Sequence, residues 1–311
     1  MIVTDTPTLY LSIYIIAFLI GLPNAVLAFC CCIRKIHSKP LPIDIIMLNL
    51  VISDLIFLTF LPVKMKEAAD NMVWNMPDIL CQLNLFLFFL PIYGSCHFLV
   101  VISTERYVCV AFPVKYKNPR RITYTILICI AIWMFTIASA VLTYMAAYGG
   151  SNNVTNYTVH QLCYTNFTPE QLQNVLKIRL AFVAVFFCMP LFICCFCYIN
   201  TIRILLKLPL IKRCRKLRAI GMAFGTLLVF AICFAPYNAS HIVGYITQEN
   251  PKWRMYTLTF TTLNACFDAI IFYCISYEMR LAFKVCKKGF IQFYVRIKSF
   301  FYLNKLYRTH M

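Results

Sequence analysis

Long apolar runs recur along this chain, and each is close to the length of helix that crosses the hydrocarbon core of a bilayer, about 20 residues. The bilayer core offers the backbone no water, so only helices and closed barrels cross it. The runs are Leu9–Ile33, Ile43–Val63, Ile79–Thr104, Ile122–Tyr148, Leu180–Ile202, Ala219–Gln248 and Met255–Ser276. Their number and length predict an all-α membrane protein that folds as a bundle of seven transmembrane helices.

The composition agrees with a surface that faces lipid. Hydrophobic residues make up 61% of the chain and charged residues 13%, against about a quarter charged in soluble domains. The net charge of +18 could indicate nucleic acid, but 23 of the 29 lysines and arginines fall on the side that is cytoplasmic if the N-terminus is outside. This bias is the usual topology signal. It predicts a multi-pass cell-membrane protein that contacts membrane lipid and no nucleic acid.

The segments outside the bundle are short. We expect residues 1–8 to form an extracellular N-terminus, 9–276 the seven-transmembrane domain, 277–288 an amphipathic helix on the inner membrane surface and 289–311 a basic cytoplasmic tail. Cys286, in the amphipathic helix, is either palmitoylated or a free thiol that faces lipid. Three Asn-x-Thr patterns in the second outer loop predict N-glycosylation at Asn153, Asn156 and Asn166.

Several short motifs stand at fixed places in the spans. They are Leu48-Asn49-Leu50 with Ser53-Asp54 in the second span, Glu105-Arg106-Tyr107 at the end of the third, Trp133 in the fourth, Pro190 in the fifth and Cys233-Phe234-Ala235-Pro236 in the sixth. This combination resembles the rhodopsin-like (class A) G-protein-coupled receptors over essentially the whole chain. The resemblance implies a receptor for an extracellular ligand that activates a heterotrimeric G protein.

The same resemblance implies roles for residues on both sides of the membrane. Activation of the G protein is expected at Glu105, Arg106 and Tyr107, with Arg106 beside Glu105 as an ionic latch. Cys81 is expected to form a disulfide bond with Cys163. A sodium ion in related receptors is bound by the residues that match Asp54, Ser95, Asn264 and Asp268. Two buried carboxylates require either such a cation or a shared proton.

A second group of motifs is similar to the free fatty acid receptors. It consists of Arg179-Leu180, the stretch from Pro236 to Tyr245, Pro251-Lys252-Trp253-Arg254, Glu67-Ala68-Ala69, Cys163-Tyr164 with Asn166-Phe167, and Leu263-Asn264-Ala265. His241 stands where the long-chain receptor has asparagine, which indicates the short-chain members. Tyr93 matches a tyrosine of the family's ligand pocket.

The residues themselves predict an anion site at the outer end of the bundle. Tyr237 and His241 are four residues apart and share a helix face. Arg179 and Arg254 enter the fifth and seventh spans from the same side, and a guanidinium can bind a carboxylate through two hydrogen bonds. The alternatives are arginines that extend to lipid headgroups, a histidine satisfied in the interior and, for Tyr93, a core aromatic.

Other functions remain open at this point. A different small anion, such as a hydroxy-carboxylate, or a longer fatty acid would suit the same arginines. A transporter or channel would show repeated halves and broken helices, and neither is visible. The pattern of an enzyme site is also missing, so no catalysis and no cofactor besides sodium are expected. Coupling strength and chain-length preference are left open by departures from the family at Ala25, Ser139, Thr165, Phe234 and Ala269.

Overall fold

The structure, a computed structural model, describes residues 7–38, 40–116, 121–148, 168–208 and 212–275, together with Met279–Leu281 and Lys284. Within these residues, seven helices are long and apolar enough to cross a membrane. The predicted number of spans is therefore confirmed. The first four are Pro7–Ser38, Pro42–Ala69, Asp78–Ala111 and Arg121–Tyr148, and the short helix Pro113–Tyr116 connects the last two.

The fifth and sixth helices each contain a π-helical turn. The fifth comprises Pro169–Phe182, the π-turn Val183–Cys188 and Met189–Lys207, and the sixth comprises Arg213–Leu228, the π-turn Val229–Phe234 and Ala235–Thr247. The seventh consists of Arg254–Thr261 and Asn264–Ile275, with a turn between them. Each π-turn is followed by a proline two residues later, Pro190 and Pro236, in the sequence of the next α-helical segment. Such turns are frequent at functional sites.

The fifth helix begins earlier than the apolar pattern predicts. We expected its start at Leu180, but it begins at Pro169. Thr168 caps it: its hydroxyl accepts a hydrogen bond from the backbone N–H of Gln171, and the Gln171 side chain accepts one from the N–H of Thr168. This reciprocal capping, with proline at the first helical position, starts a helix without any apolar run. The predicted helix 277–288 lies largely outside the described residues.

The bundle is apolar outside and partly polar inside. Large apolar side chains such as Leu19, Met134 and Phe192 are exposed, whereas Asp54 and Asp268 are buried. This arrangement suits a surface in contact with lipid tails. In that environment, close packing and polar contacts hold helices together.

Contacts between helices show both kinds of interaction. A Cβ added at Gly21 of the first helix would lie 3.1 Å from the Leu58 side chain of the second. The indole N–H of Trp133 donates to the Asn49 side chain at 2.9 Å, which joins the fourth helix to the second. The Tyr198 and Thr226 hydroxyls, 2.9 Å apart, join the fifth to the sixth.

The structure describes the surroundings of most departures from the family pattern. Asn24 does not replace the family asparagine at Ala25, because its side chain donates to the Ile20 carbonyl of its own helix at 2.8 Å while Ala25 is buried. The Ser139 hydroxyl likewise donates to the Phe135 carbonyl. Phe234 is buried against Phe230. Ala269 lies within the helix Asn264–Ile275, and Thr165 lies outside the described residues.

The two ends of the bundle carry different chemistry. One end, here named the Cys81 end, holds Cys81, Arg179 and Arg254, and Cys81 there is disulfide-bonded. The other, here named the Glu105 end, holds Glu105 and the short helix Pro113–Tyr116. Cys163, the predicted disulfide partner, lies outside the described residues, as do the predicted glycosylation sites Asn153, Asn156 and Asn166 and the cysteine Cys286.

Candidate ligand site

The structure brings four of the predicted ligand residues together at the Cys81 end. Arg179 lies in the fifth helix, Tyr237 and His241 in the sixth, and Arg254 is the first residue of the seventh. The exposed fractions of their side chains are 4%, 3%, 3% and 3% in that order. Such burial does not fit arginines that extend to lipid headgroups. Because a buried charge is costly, two of them in one place indicate a functional arrangement.

Direct contacts connect these residues. The guanidinium carbon of Arg254 lies 5.9 Å from the ring centroid of Tyr237. The Tyr237 and His241 rings are 4.3 Å apart at an interplanar angle of 69°. Arg179 Nη1 donates a hydrogen bond to the Asn250 side-chain oxygen at 3.0 Å.

The two guanidinium groups also act electrostatically on the His241 imidazole. His241 Nδ1 is buried and has no hydrogen-bond partner among the described residues. The result is a positively charged cluster that contains a buried polar nitrogen without a hydrogen-bond partner among the described residues.

An aromatic cluster adjoins the charged residues. Tyr93 of the third helix packs against Phe186 and Phe182 of the fifth, with ring centroids 4.5 Å and 5.3 Å away. Phe89 stacks on Tyr237 at 6.5 Å and on Tyr93 at 6.2 Å. Phe89 thus connects Tyr93 to Tyr237, which contacts Arg254. Together these rings form an apolar surface beside the arginines.

Some residues of the site were not found from the sequence. Phe182 and Phe186 follow Arg179 by three and seven positions, a spacing that puts them on its helix face and could have identified them. Asn250 carries no such signal, because it lies in a loop whose conformation is not periodic. Phe89 precedes Tyr93 by one turn and was overlooked.

A second polar site lies deeper in the bundle, where sodium was predicted. The Asp54 and Asp268 carboxyl groups are neighbours, and the Asn264 amide donates to Asp268 at 3.2 Å. One oxygen each of Asp54, Asn264 and Asp268 is buried without a hydrogen-bond partner in the described part of the chain. Ser95 is bonded to Ser53 instead, at 3.4 Å.

These residues fit a hard cation. Carboxylate, amide and hydroxyl oxygens are its preferred ligands, and three such oxygens are buried here without a partner. With no cation, two neighbouring carboxyl groups buried to this extent require a shared proton. No cluster of three or more His, Cys, Asp or Glu side chains that could bind a metal occurs in the described ranges.

At the Glu105 end, the predicted latch has a different partner. Glu105 Oε1 accepts a hydrogen bond from Arg121 Nη2 at 3.0 Å. Among the described residues no hydrogen bond or ion pair joins Glu105 to Arg106, although the Arg106 charge acts on Glu105. The Glu105–Arg106 latch stays a prediction, and in this conformation Glu105 pairs with Arg121. The reason is geometric: Arg121 begins the fourth helix next to Glu105, while Arg106 Nε is buried without a hydrogen-bond partner there.

The contacts around this ion pair extend to the neighbouring rings. The Arg121 guanidinium lies 4.6 Å from the ring centroid of Tyr116. Burial raises the pKa of Tyr116 to about 12, so its hydroxyl is neutral at physiological pH and the guanidinium contact is of the cation–π kind. Tyr107, the third residue of the motif, packs against Phe196 of the fifth helix at 6.0 Å.

Comparison with known proteins gives consistent matches. The family model described as 7 transmembrane receptor (rhodopsin family) matches residues 24–272. Free fatty acid receptor 3 of Mus musculus is 39% identical over 275 residues, which cover 88% of this chain and 85% of that protein. Free fatty acid receptor 2 of Homo sapiens is 39% identical over 277 residues, 89% and 84% of the two chains. Free fatty acid receptor 1 of Mesocricetus auratus is 32% identical over 256 residues, 80% and 85%.

Proposed function

The chain belongs to the rhodopsin family of seven-transmembrane receptors, and from that premise we propose that it is a G-protein-coupled receptor activated by short-chain fatty acids. It is a multi-pass protein of the cell membrane. The relatives named free fatty acid receptors 2 and 3 support the ligand class. They do not identify the residues that bind it.

One observation carries the proposal: two buried arginines, a buried histidine and a tyrosine come together beside an aromatic wall. Arg179, Arg254 and His241 supply nitrogen donors and positive charge for a carboxylate. The rings of Tyr93, Phe182 and Phe186, 4.5 to 5.3 Å apart, fill much of the space next to it. An acid with a short apolar tail suits this combination better than one with a long tail.

We place the Cys81 end outside the cell. The Glu105 end is the one with most lysines and arginines of the chain, and basic loops are retained in the cytoplasm. An epitope tag at the N-terminus should be reached by antibody on intact cells, whereas a tag at the C-terminus should require permeabilised cells. The opposite labelling would reverse this orientation.

The signal is a shift of population between two arrangements of the helices. A carboxylate bound by Arg179 and Arg254 connects the fifth and seventh helices, and His241 adds the sixth. If the ligand binds the arrangement with these helices drawn together more tightly, that arrangement becomes more populated. The Glu105 end, with Arg106 and the basic connection between the fifth and sixth helices, is where the G protein would detect the change.

The site at Asp54 and Asp268 would hold a sodium ion, with Asn264 and Ser95 as further oxygen ligands. Sodium bound there would favour one arrangement of the helices over the other. Asp54→Asn, which keeps the shape of the side chain but removes its charge, should abolish any effect of sodium on agonist potency. A sodium effect of unchanged size in this variant would exclude the site.

The central experiment is G-protein dissociation in cells that express this chain, with acids of two to twelve carbons. We expect the response to be greatest for acetate, propionate or butyrate. Arg179→Ala should raise the half-maximal concentration about 30-fold or more, because loss of one partner of a buried charge pair costs about 2–5 kcal/mol. Lys177→Ala, which removes an exposed charge from the same helix, is the matched control.

The same experiment separates the alternatives. A maximum at eight to twelve carbons would favour a longer fatty acid, and a response to hydroxy-carboxylates alone would favour a different small anion. Uptake or current without G-protein dissociation would indicate a transporter or channel. Equal responses of Arg179→Ala and Lys177→Ala, at equal surface expression, would contradict the proposed binding site.

A further inference from the structure

The connection between the sixth and seventh helices, Gln248–Trp253, is short and held at both ends. Gln248 has left-handed backbone angles, φ 56° and ψ 26°, and ends the sixth helix. The backbone N–H of Arg254 donates to the Pro251 carbonyl at 3.0 Å where the seventh helix begins. The backbone position of Arg254 is therefore fixed by this connection, which we name the strap.

The strap rests on a glycine of the sixth helix. A Cβ added at Gly244 would lie 3.1 Å from the Glu249 carbonyl oxygen and 3.1 Å from Pro251 Cδ. It would also lie 3.3 Å from Leu176 of the fifth helix. A side chain at this position would require the strap or Leu176 to move by a few tenths of an ångström. The absence of a side chain at Gly244 thus allows the strap to pack directly against the sixth helix and near Leu176 of the fifth.

The strap also contacts the other arginine through a side chain. Asn250 Oδ1 accepts the hydrogen bond from Arg179 Nη1 at 3.0 Å. An amide oxygen is a neutral acceptor, so this bond orients the guanidinium without cancelling its positive charge. A carboxylate at the same place would cancel it.

We propose that the strap sets the separation of the two arginines and that Asn250 is a positioning residue, which orients Arg179 through a neutral contact. The proposal rests on the proposed function, because it assigns the arginines to a carboxylate. The strap contacts the fifth helix through the hydrogen bond of Asn250 with Arg179. It also contacts the first residue of the seventh helix, because the Pro251 carbonyl accepts a hydrogen bond from the Arg254 N–H. A carboxylate site on two helices needs such a connection to keep a spacing that matches one ligand.

The first test needs no ligand. Asn250→Asp and Arg179→Gln are made singly and together in the full-length receptor, which is purified in detergent and unfolded by heat. The contact predicts that Asn250→Asp is more stabilising, by about 2–4 °C in Tm, when Arg179 is present than in the Arg179→Gln background. Equal shifts in both backgrounds would overturn the strap contact, whatever the ligand is.

The second test uses propionate and G-protein dissociation. Asn250→Asp should raise the half-maximal concentration about tenfold or more, since its carboxylate competes with propionate for Arg179. Asn250→Ala, which loses only the orientation of Arg179, should raise it about threefold. Glu249→Gln is the control: it changes an exposed charge in the same strap and should leave the response within about twofold.

The outcomes distinguish the two proposals. If the wild type responds and Arg179→Ala does not, but Asn250→Asp behaves as wild type, Asn250 is not a positioning residue and the proposed function stands. If the wild type is silent to all acids although Asn250 and Arg179 are coupled in the thermal cycle, the strap contact exists but the carboxylate function is wrong. The proposed role of Asn250 in positioning Arg179 for a carboxylate is then also wrong.

Discussion

Arg179 and Arg254 are the residues whose placement packing alone explains least. Removal of a charged group from water costs several kcal/mol per ion, and only good electrostatic partners compensate. The neutral amide of Asn250 contacts Arg179 and the face of the Tyr237 ring contacts Arg254. A carboxylate bound by both guanidinium groups would add a stronger, charge-assisted contact.

His241 is predicted to act through hydrogen bonding and not through its bulk. His241→Phe keeps an aromatic ring beside Tyr237 but removes both nitrogens. We expect the half-maximal concentration of propionate to rise about tenfold, the typical effect of losing one hydrogen bond to a charged group. His37→Phe, at an exposed position of the first helix, is the control. A His241→Phe receptor with unchanged potency would exclude the imidazole from the site.

The residues of the site were predictable where helix periodicity relates them. Tyr237 and His241 are four apart, so the sequence alone puts them on one face. The burial of Arg179 could not be predicted, since the same spacing is compatible with a side chain that extends to headgroups. The position of Asn250 depends on the left-handed turn at Gln248 and on the approach to Gly244, and these are tertiary features.

At the scale of helices, the ends were harder to predict than the apolar centres. Hydropathy detects only the part of a helix that crosses lipid, so the polar segment Pro169–Arg179 was missed. Thr168, Pro169 and Gln171 form a recognisable start signal that could have corrected the start of the fifth helix. The π-turns were not predicted, although each precedes a proline, Pro190 or Pro236, which interrupts the hydrogen bonding of an α-helix.

The close approach of the strap to the sixth helix gives a prediction for Gly244. Gly244→Ala should displace the strap by a few tenths of an ångström. The half-maximal concentration of propionate should rise, because a small displacement of Arg254 weakens a site in which two arginines bind one carboxylate. Gly94→Ala is the matched control, since its added Cβ would meet nothing nearer than 3.5 Å. The prediction fails if both variants keep wild-type potency at equal surface expression.

The fifth-helix cap gives a prediction of stability. Thr168→Ala should lower the free energy of unfolding by about 1 kcal/mol, as expected for loss of an N-cap hydroxyl, and the decrease is measured as a lower Tm of the purified receptor. Thr168 is also the third residue of the predicted acceptor pattern at Asn166. Thr168→Ser keeps both the cap and the acceptor pattern, so its Tm should remain near that of the wild type. An equal decrease of Tm in both variants would show that the effect does not come from capping.

At the scale of the whole molecule, the ion pair of Glu105 with Arg121 leaves Arg106 without Glu105 as its hydrogen-bond partner. If a Glu105–Arg106 pair stabilises the resting arrangement, Arg121→Gln should free Glu105 to form an ion pair with Arg106. Basal G-protein activity should then be lower than in the wild type. Arg34→Gln, an exposed position in the first helix, controls for the loss of charge. Basal activity that rises in Arg121→Gln would show that Arg121 restrains the receptor instead.

The π-turns of the fifth and sixth helices change the direction in which the side chains beyond them point. A residue in an α-helix advances the side-chain direction by about 100°. A turn that accommodates one extra residue therefore points the residues beyond it about 100° away from the direction they would have in an uninterrupted α-helix of the same sequence. The ligand-side face of each helix and its Glu105-side face are thereby set independently of one another. Conversion of the turn Val183–Cys188 into a regular α-helical turn, without deletion, would rotate Tyr198 away from Thr226 while Arg179 stays in place. Deletion of one residue there would restore a continuous α-helix in which Tyr198 still faces Thr226.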